Sequence, residues 1–177
     1  MHRDKDTPTT YIWWIWERLL YGDQPAGRDI SGDEDTIRAL KRDDFVGYFH
    51  NQYVALNTAV VIAGNFNEPE AVEMVRSLFA DIRSEPPIYK KPPVVEEQFA
   101  PVAQIEFKQT DQTHLIIGFR GYDANHPKRY AAEVLGVLLG GGMSSRMFDR
   151  IREKLGLAYA VWSAHESYSN RGFLVTY

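Results

Sequence analysis

The chain has 177 residues, 44% of them apolar and 13% aromatic, a composition that excludes intrinsic disorder and can bury a core without metal or disulfide support. Twenty basic and 24 acidic residues leave a net charge of −4 and an isoelectric point near 5.7, the opposite of a nucleic-acid binder's basic footprint. Cysteine is absent, which excludes disulfide scaffolds, thiolate zinc sites, iron–sulfur ligation and cysteine nucleophiles.

The amino-terminal residues Met1 to Asp6 carry no signal-peptide apolar core. The longest apolar stretch, Tyr11 to Trp16, is far short of the roughly 20 residues that span a bilayer. These two features predict a cytoplasmic chain with no membrane partner, unless a targeting signal lies upstream.

Ile12, Ile15, Trp16 and Leu19 recur at helical spacing and predict an amphipathic helix; Trp13, Trp14 and Leu20 make it apolar on a second side, as for a helix between two layers. Gly22 to Arg28 and Ser31-Gly32 are turns. A short helix over Glu34 to Leu40, capped by Ser31 or Asp33, has its acidic residues in the first turn. Asp43-Asp44 open another helix, with Phe45, Val46, Tyr48, Phe49 and Tyr53 apolar. Thr58 to Ala63 is a β-branched run ending at Gly64, predicted as a buried strand. Asn67, Pro69 and Glu70 form a near capping box for a helix whose stripe is Val72, Val75, Leu78 and Phe79.

Five of the nine prolines fall between Ser84 and Pro101, which predicts a stiff, extended linker and the chain's one clear boundary. Beyond it, Ala103, Ile105 and Phe107 alternate with polar residues, and His114 to Phe119 makes a more buried partner strand. A helix starting at Asn125-His126-Pro127 places Ala131, Val134, Leu135 and Leu138 on its apolar face. Gly140-Gly141-Gly142 ends it, and Ser144 caps a further helix facing inward with Met147, Phe148, Ile151 and Leu155. Leu157 to Ser167 and Arg171 to Tyr177 predict a hairpin in which Tyr159 shares the more polar face with Val161, Ser163 and His165, leaving Ala158, Ala160, Trp162 and Ala164 for the packed side. Tyr177 falls within a strand.

The histidines His2, His50, His114, His126 and His165 show no i, i+3 or i, i+4 pairing, and there is no H-E-x-x-H or H-x-x-E-H, so no metal site is expected within the chain. No Gly-x-Ser-x-Gly elbow occurs, so no catalytic residue is assigned. Gly140 to Arg146 offers successive amides to an anion, but it follows a helix and lacks a P-loop lysine, which favours a connecting loop over a nucleotide site.

Four stretches in order carry a family resemblance. Ser145-Arg146-Met147-Phe148-Asp149-Arg150-Ile151-Arg152-Glu153-Lys154-Leu155-Gly156-Leu157-Ala158-Tyr159, with the glycine-rich Leu138 to Ser144 before it, resembles a block of the insulinase/pitrilysin-type zinc metallopeptidases, which include the mitochondrial processing peptidase. Gln52-Tyr53 to Asn57 followed by Val60 to Gly64, and Gly22 to Gly32, are similar to that family's strand and turn motifs. The resemblance implies an α+β fold: a mixed, mainly antiparallel sheet with helices packed on one face. It assigns residues 1–83 to the end of a first family domain, 84–101 to the linker, and 102–177 to the start of a second, the C-terminal inactive domain. It also implies that zinc belongs to the full-length enzyme and is bound by a motif upstream of this chain.

By the same resemblance Arg152 and Tyr159 match a substrate-holding pair, and Gly140, Gly141 and Gly142 match a shortened substrate-engaging loop. The expected partners are a peptide or unfolded protein substrate, and the remainder of the peptidase or a homologous subunit. Unpaired sheet edges add a homo-oligomer to that expectation. The alternative is a noncatalytic family member acting as a binding or assembly subunit.

Overall fold

A computed structural model describes residues 6–177; His2 and the amino-terminal stretch before Asp6 lie outside them. The chain divides into two compact units. One joins the described part of Met1–Asp33 to Pro93–Tyr177, and the other is Glu34–Pro92.

In the larger unit, helix α1 (Pro8–Tyr21) starts with a proline at its first turn and ends at Gly22, whose positive φ of 66° suits glycine. A three-stranded antiparallel sheet follows: β1 (Ile117–Arg120), β2 (Ser163–Ser167) and β3 (Gly172–Thr176), in the order β1-β3-β2. The hairpin predicted at the carboxyl end is present. Its ladder extends outward through the reciprocal backbone bonds of Trp162 and Tyr177. This α+β, antiparallel architecture is the expected fold class.

Register fixes the two faces, because side chains directly opposite in an antiparallel pair share a face. Gly118 opposes Val175, which opposes Ala164; Ile117 opposes Thr176, which opposes Ser163. Gly118, Phe173, Val175 and Trp162 therefore face α1. Trp16 meets Phe173 edge to face, and Trp13 stacks on Trp162 at 5.3 Å. A Cβ at Gly118 would lie 2.7 Å from the Trp16 ring, so the indole reaches the sheet only because that position is glycine. The buried core of this unit is Trp16, Leu20, Tyr21, Ala26, Phe173 and Val175. Of the expected stripe Ile12, Ile15, Trp16 and Leu19, Trp16 joins the core; Leu20 and Trp13 join it from the second side, and the other three are half-buried.

Helix α2 (Arg129–Gly140) lies on the opposite face, over β2. Its expected apolar face is exposed: Val134, Leu135 and Leu138 point to solvent. What docks is the buried pair Gly136 and Gly140, one turn apart. A Cβ at Gly136 would meet the His165 amide nitrogen at 3.0 Å, and one at Gly140 would collide with the Ser163 amide. Within 102–177 the helical elements do lie on one face; α1, from the other side of the proline-rich stretch, covers the second.

Two predicted strands do not form. Residues 103–107 are irregular and exposed, and the partner strand is shortened to β1. In the smaller unit, 58–63 forms no strand and finds no partner among the described residues, and Val61 is 87% exposed. A strand is stabilised by its neighbour, so residue type alone does not make one. The helices of this unit, α3 (Glu34–Ala39), α4 (Arg42–Gln52) and α5 (Glu68–Leu78), match expectation. The Asp44 carboxylate accepts from Lys41 N at 2.8 Å, and the Asn67 side chain accepts from Glu70 N. Val54 is fully buried, and Ala55 N donates to Arg83 O beside it.

Phe173→Ala is expected to lower stability by about 3–5 kcal/mol, since it empties the centre of the larger unit's core. Phe119→Ala, at a 67% exposed position on the adjacent strand β1 and on the opposite face, is expected to stay within about 1 kcal/mol of wild type. Urea denaturation midpoints of the two variants check both values.

Candidate functional site at the Arg152–Tyr159 pair

After α2 the chain passes Gly141 and Gly142 and enters a π-helical segment, Phe148–Lys154. Its wide turns close at Leu155 N to Arg150 O (3.2 Å) and Leu157 N to Ile151 O (3.0 Å). The segment starts without the Ser144 cap expected from the sequence, and it is π rather than α. Gly156, with a φ of 60°, reverses the chain immediately afterwards. That reversal returns Tyr159 to Arg152. The guanidinium sits 4.8 Å from the Tyr159 ring centre and 4.7 Å from that of buried Phe148, within cation–π distance of both. Glu153 is its ion-pair partner at 3.8 Å. The Arg152 side chain is 36% exposed and Tyr159 is 85% exposed. A planar cation packed against aromatic rings can still present N–H donors at its edge to a carbonyl or carboxylate oxygen.

Tyr159, but not Arg152, lines a cavity of about 650 Å³ on the sheet face opposite α1. Its walls are Ile117, Phe119 and Leu174 from the sheet, Leu139 from α2, Met147 just before the π segment and Ile151 within it. At another edge, the His114 ring nitrogen Nδ1 lies 2.7 Å from the Tyr177 hydroxyl. Sixty-three residues separate those two, and no spacing rule could have joined them.

The row that placed Tyr159 with Val161, Ser163 and His165 is corrected. Val161 and Ser163 are buried, and the strand begins only at Ser163. The hydroxyl of Ser163 donates to Val175 O at 2.9 Å, and Thr176 donates to Ser163. A polar residue satisfied inside the fold reads in sequence like one facing water.

The three glycines separate. Gly140 is a packing residue against β2, a Cβ at Gly141 would collide with the Val137 Cα at 2.6 Å, and Gly142 faces open space. Gly142 and the 77% exposed Met143 are the part of the loop a ligand could meet. Among the described residues no group of three histidine or carboxylate side chains is placed to hold a metal ion, so the residues present do not fit a zinc site. No helix of the described residues is long and apolar enough to cross a membrane.

The family model described as the peptidase M16 inactive domain matches residues 39–177. An uncharacterized zinc protease of Rickettsia felis is 33% identical over 98% of this chain, and the uncharacterized zinc protease YmxG of Bacillus subtilis is 31% identical over the same share. The chain spans 41% of the length of each of these relatives. The crystal structure of a peptidase M16 inactive domain from Pseudomonas fluorescens is similar with a TM-score of 0.85 at 25% identity, covering 99% of this chain and 42% of that one.

Gly140→Ala is expected to cost about 1–3 kcal/mol through a backbone collision with β2, whereas Gly142→Ala should remain within about 0.5 kcal/mol of wild type. Denaturation midpoints of the two single variants separate the packing glycine from the loop glycine.

Proposed function

The chain belongs to the peptidase M16 family through its inactive domain, and from that premise we propose that it is the region of a zinc metalloendopeptidase that holds the substrate peptide without supplying the zinc ligands. Arg152 and Tyr159 are the centre of the proposed contact, and of the three loop glycines only Gly142 is open to join it. The observation that supports this most is that Arg152 lies over the rings of both Phe148 and Tyr159, and that Tyr159 also lines an apolar cavity. Ordering a long cation in advance of binding lowers the entropy lost when it grips a carbonyl oxygen. Tyr159 contributes a ring face and a hydroxyl to the same strand of substrate.

Residues 84–101 are proposed as the connector between two family domains. The remainder of the peptidase, or a homologous subunit, is proposed to cover the apolar side chains that the described residues leave exposed, such as Ile105, Phe107 and Val61. Residues of this kind, clustered on segments of β-rich sequence, are what an interface or a further strand covers.

In the full-length protein, Arg152→Ala should lower kcat/KM about 10- to 150-fold, the worth of one charged hydrogen bond of about 1.5–3 kcal/mol, with little change in Tm. Full activity in that variant would contradict the proposal. So would a large fall in Tm with activity per folded molecule unchanged, which makes Arg152 structural. A full-length protein that binds peptide through the pair yet cleaves none is a noncatalytic binding subunit. The 177-residue chain by itself is expected to hydrolyse no peptide and to retain no stoichiometric zinc after dialysis, which metal analysis of the purified chain checks.

A further inference from the structure

His165 lies on β2, on the face covered by α2, and both of its ring nitrogens are engaged. Nε2 accepts the backbone N–H of Tyr122 at 3.0 Å, and Nδ1 lies 3.2 Å from the Ser167 hydroxyl. A backbone N–H only donates, so Nε2 must carry a lone pair. The ring is therefore held neutral, with its proton on Nδ1 and shared with Ser167. Tyr122 belongs to the loop 121–128 that joins β1 to α2, and a Cβ at Gly121 would lie 2.6 Å from Nε2, so loop and ring are in close contact.

The loop has few other ties to the hairpin. Gly121 N donates to Gly172 O and Ala124 N to Tyr168 O, each at 2.8 Å. Within it, the Tyr122 ring stacks on His126 at 4.2 Å, and His126 Nδ1 accepts Lys128 N at 3.1 Å. A second imidazole thus serves as an acceptor in the same loop.

We propose that His165 is an acid-sensitive pin: protonation of its ring breaks the Tyr122 N–H···Nε2 bond and releases the 121–128 loop from β2. The new proton on Nε2 points at the Tyr122 N–H, so two donors face each other and one must move. The charged and titratable neighbours come from three elements. Glu133 approaches from α2, Glu166 is next to it on β2, and the loop brings Tyr122 with Asp123 and His126 behind it; β3 offers the uncharged Leu174 in register. Glu133 and Glu166 favour the imidazolium, but burial opposes it more strongly and holds the ring below the ordinary imidazole value. Release therefore belongs to mildly acidic solution, below about pH 6.5, and the loop stays pinned at neutrality. With the native value depressed, the stability this bond contributes is present above the unfolded value and declines as pH falls through the native one.

Amide hydrogen exchange of the 177-residue chain, corrected for the pH dependence of intrinsic exchange, tests the pin. The Tyr122 amide should lose about tenfold or more of its protection between about pH 7.5 and about pH 5. His165→Gln places an uncharged acceptor at a similar reach and should keep that protection at both pH values. Nitrogen-15 shifts of the wild-type ring need no variant, and should show Nδ1 protonated and Nε2 bare at neutrality. Unchanged Tyr122 protection in wild type, the same acid loss in His165→Gln, or a protonated Nε2 at neutral pH would each overturn the proposal.

Discussion

Contact between the backbone of α2 and the backbone of β2 is the constraint on which the rest of the larger unit depends. It exists because Gly136 and Gly140 carry no side chain where the helix crosses the strand. With the helix this close, Glu133 comes over His165 and Ser163 is sealed from water. The exit of the helix is fixed as well, and with it the start of the π segment. The position of Arg152 is therefore set by two glycines twelve and sixteen residues before it in sequence, through the rigidity of one helix. Small residues at i and i+4 let two backbones approach, and the gain is dispersion over many atoms at short range.

That contact also explains what the sequence conceals. Hydrophobic periodicity in Arg129–Gly140 points to Val134, Leu135 and Leu138 as the inner face, but helices that dock through glycine have no apolar stripe on the docking side. The i, i+4 glycine pair was the available signal. Local signals fared well: the Asn67 cap, the acidic start of Arg42–Gln52 and the Gly22 terminus depend on neighbours within one turn. Strands fared worse. The runs 58–63 and 103–107 have the right residues and no partner among those described, whereas the hairpin ending at Thr176 carries its partner a few residues away.

Electrostatics in the larger unit is arranged around α1. Glu17 has its carboxyl pushed up by burial, although Arg171 and a hydrogen bond from Tyr168 act the other way. Tyr21 is pushed up by burial first and by Glu96 second, while Arg120 and Arg171 each lie 5.4 Å from its ring centre. A carboxyl raised in the folded state favours folding below its unfolded value, and that contribution is lost as pH rises through the native one. His165 works in the opposite sense, losing stability as pH falls. Burial is the largest cause in both, so the two groups oppose one another in slope.

The candidate site was legible as a pair of residue types at a spacing of seven, and illegible as an arrangement. Spacing alone places Arg152 and Tyr159 on successive elements; the π turn and the reversal at Gly156 bring them face to face. A regular α-helical turn would advance each residue by 100° and aim position 152 elsewhere, so the widened turn is part of the site. Lysine would not serve in its place. A point charge on a flexible stem has no planar face for Phe148 and Tyr159 to clasp, and its orientation would be left to the ligand. The two ring contacts order the cation before anything binds. The proposed peptide-holding role asks for that ordering, because a carbonyl oxygen is the feature every peptide shares and an extended chain's side chains vary.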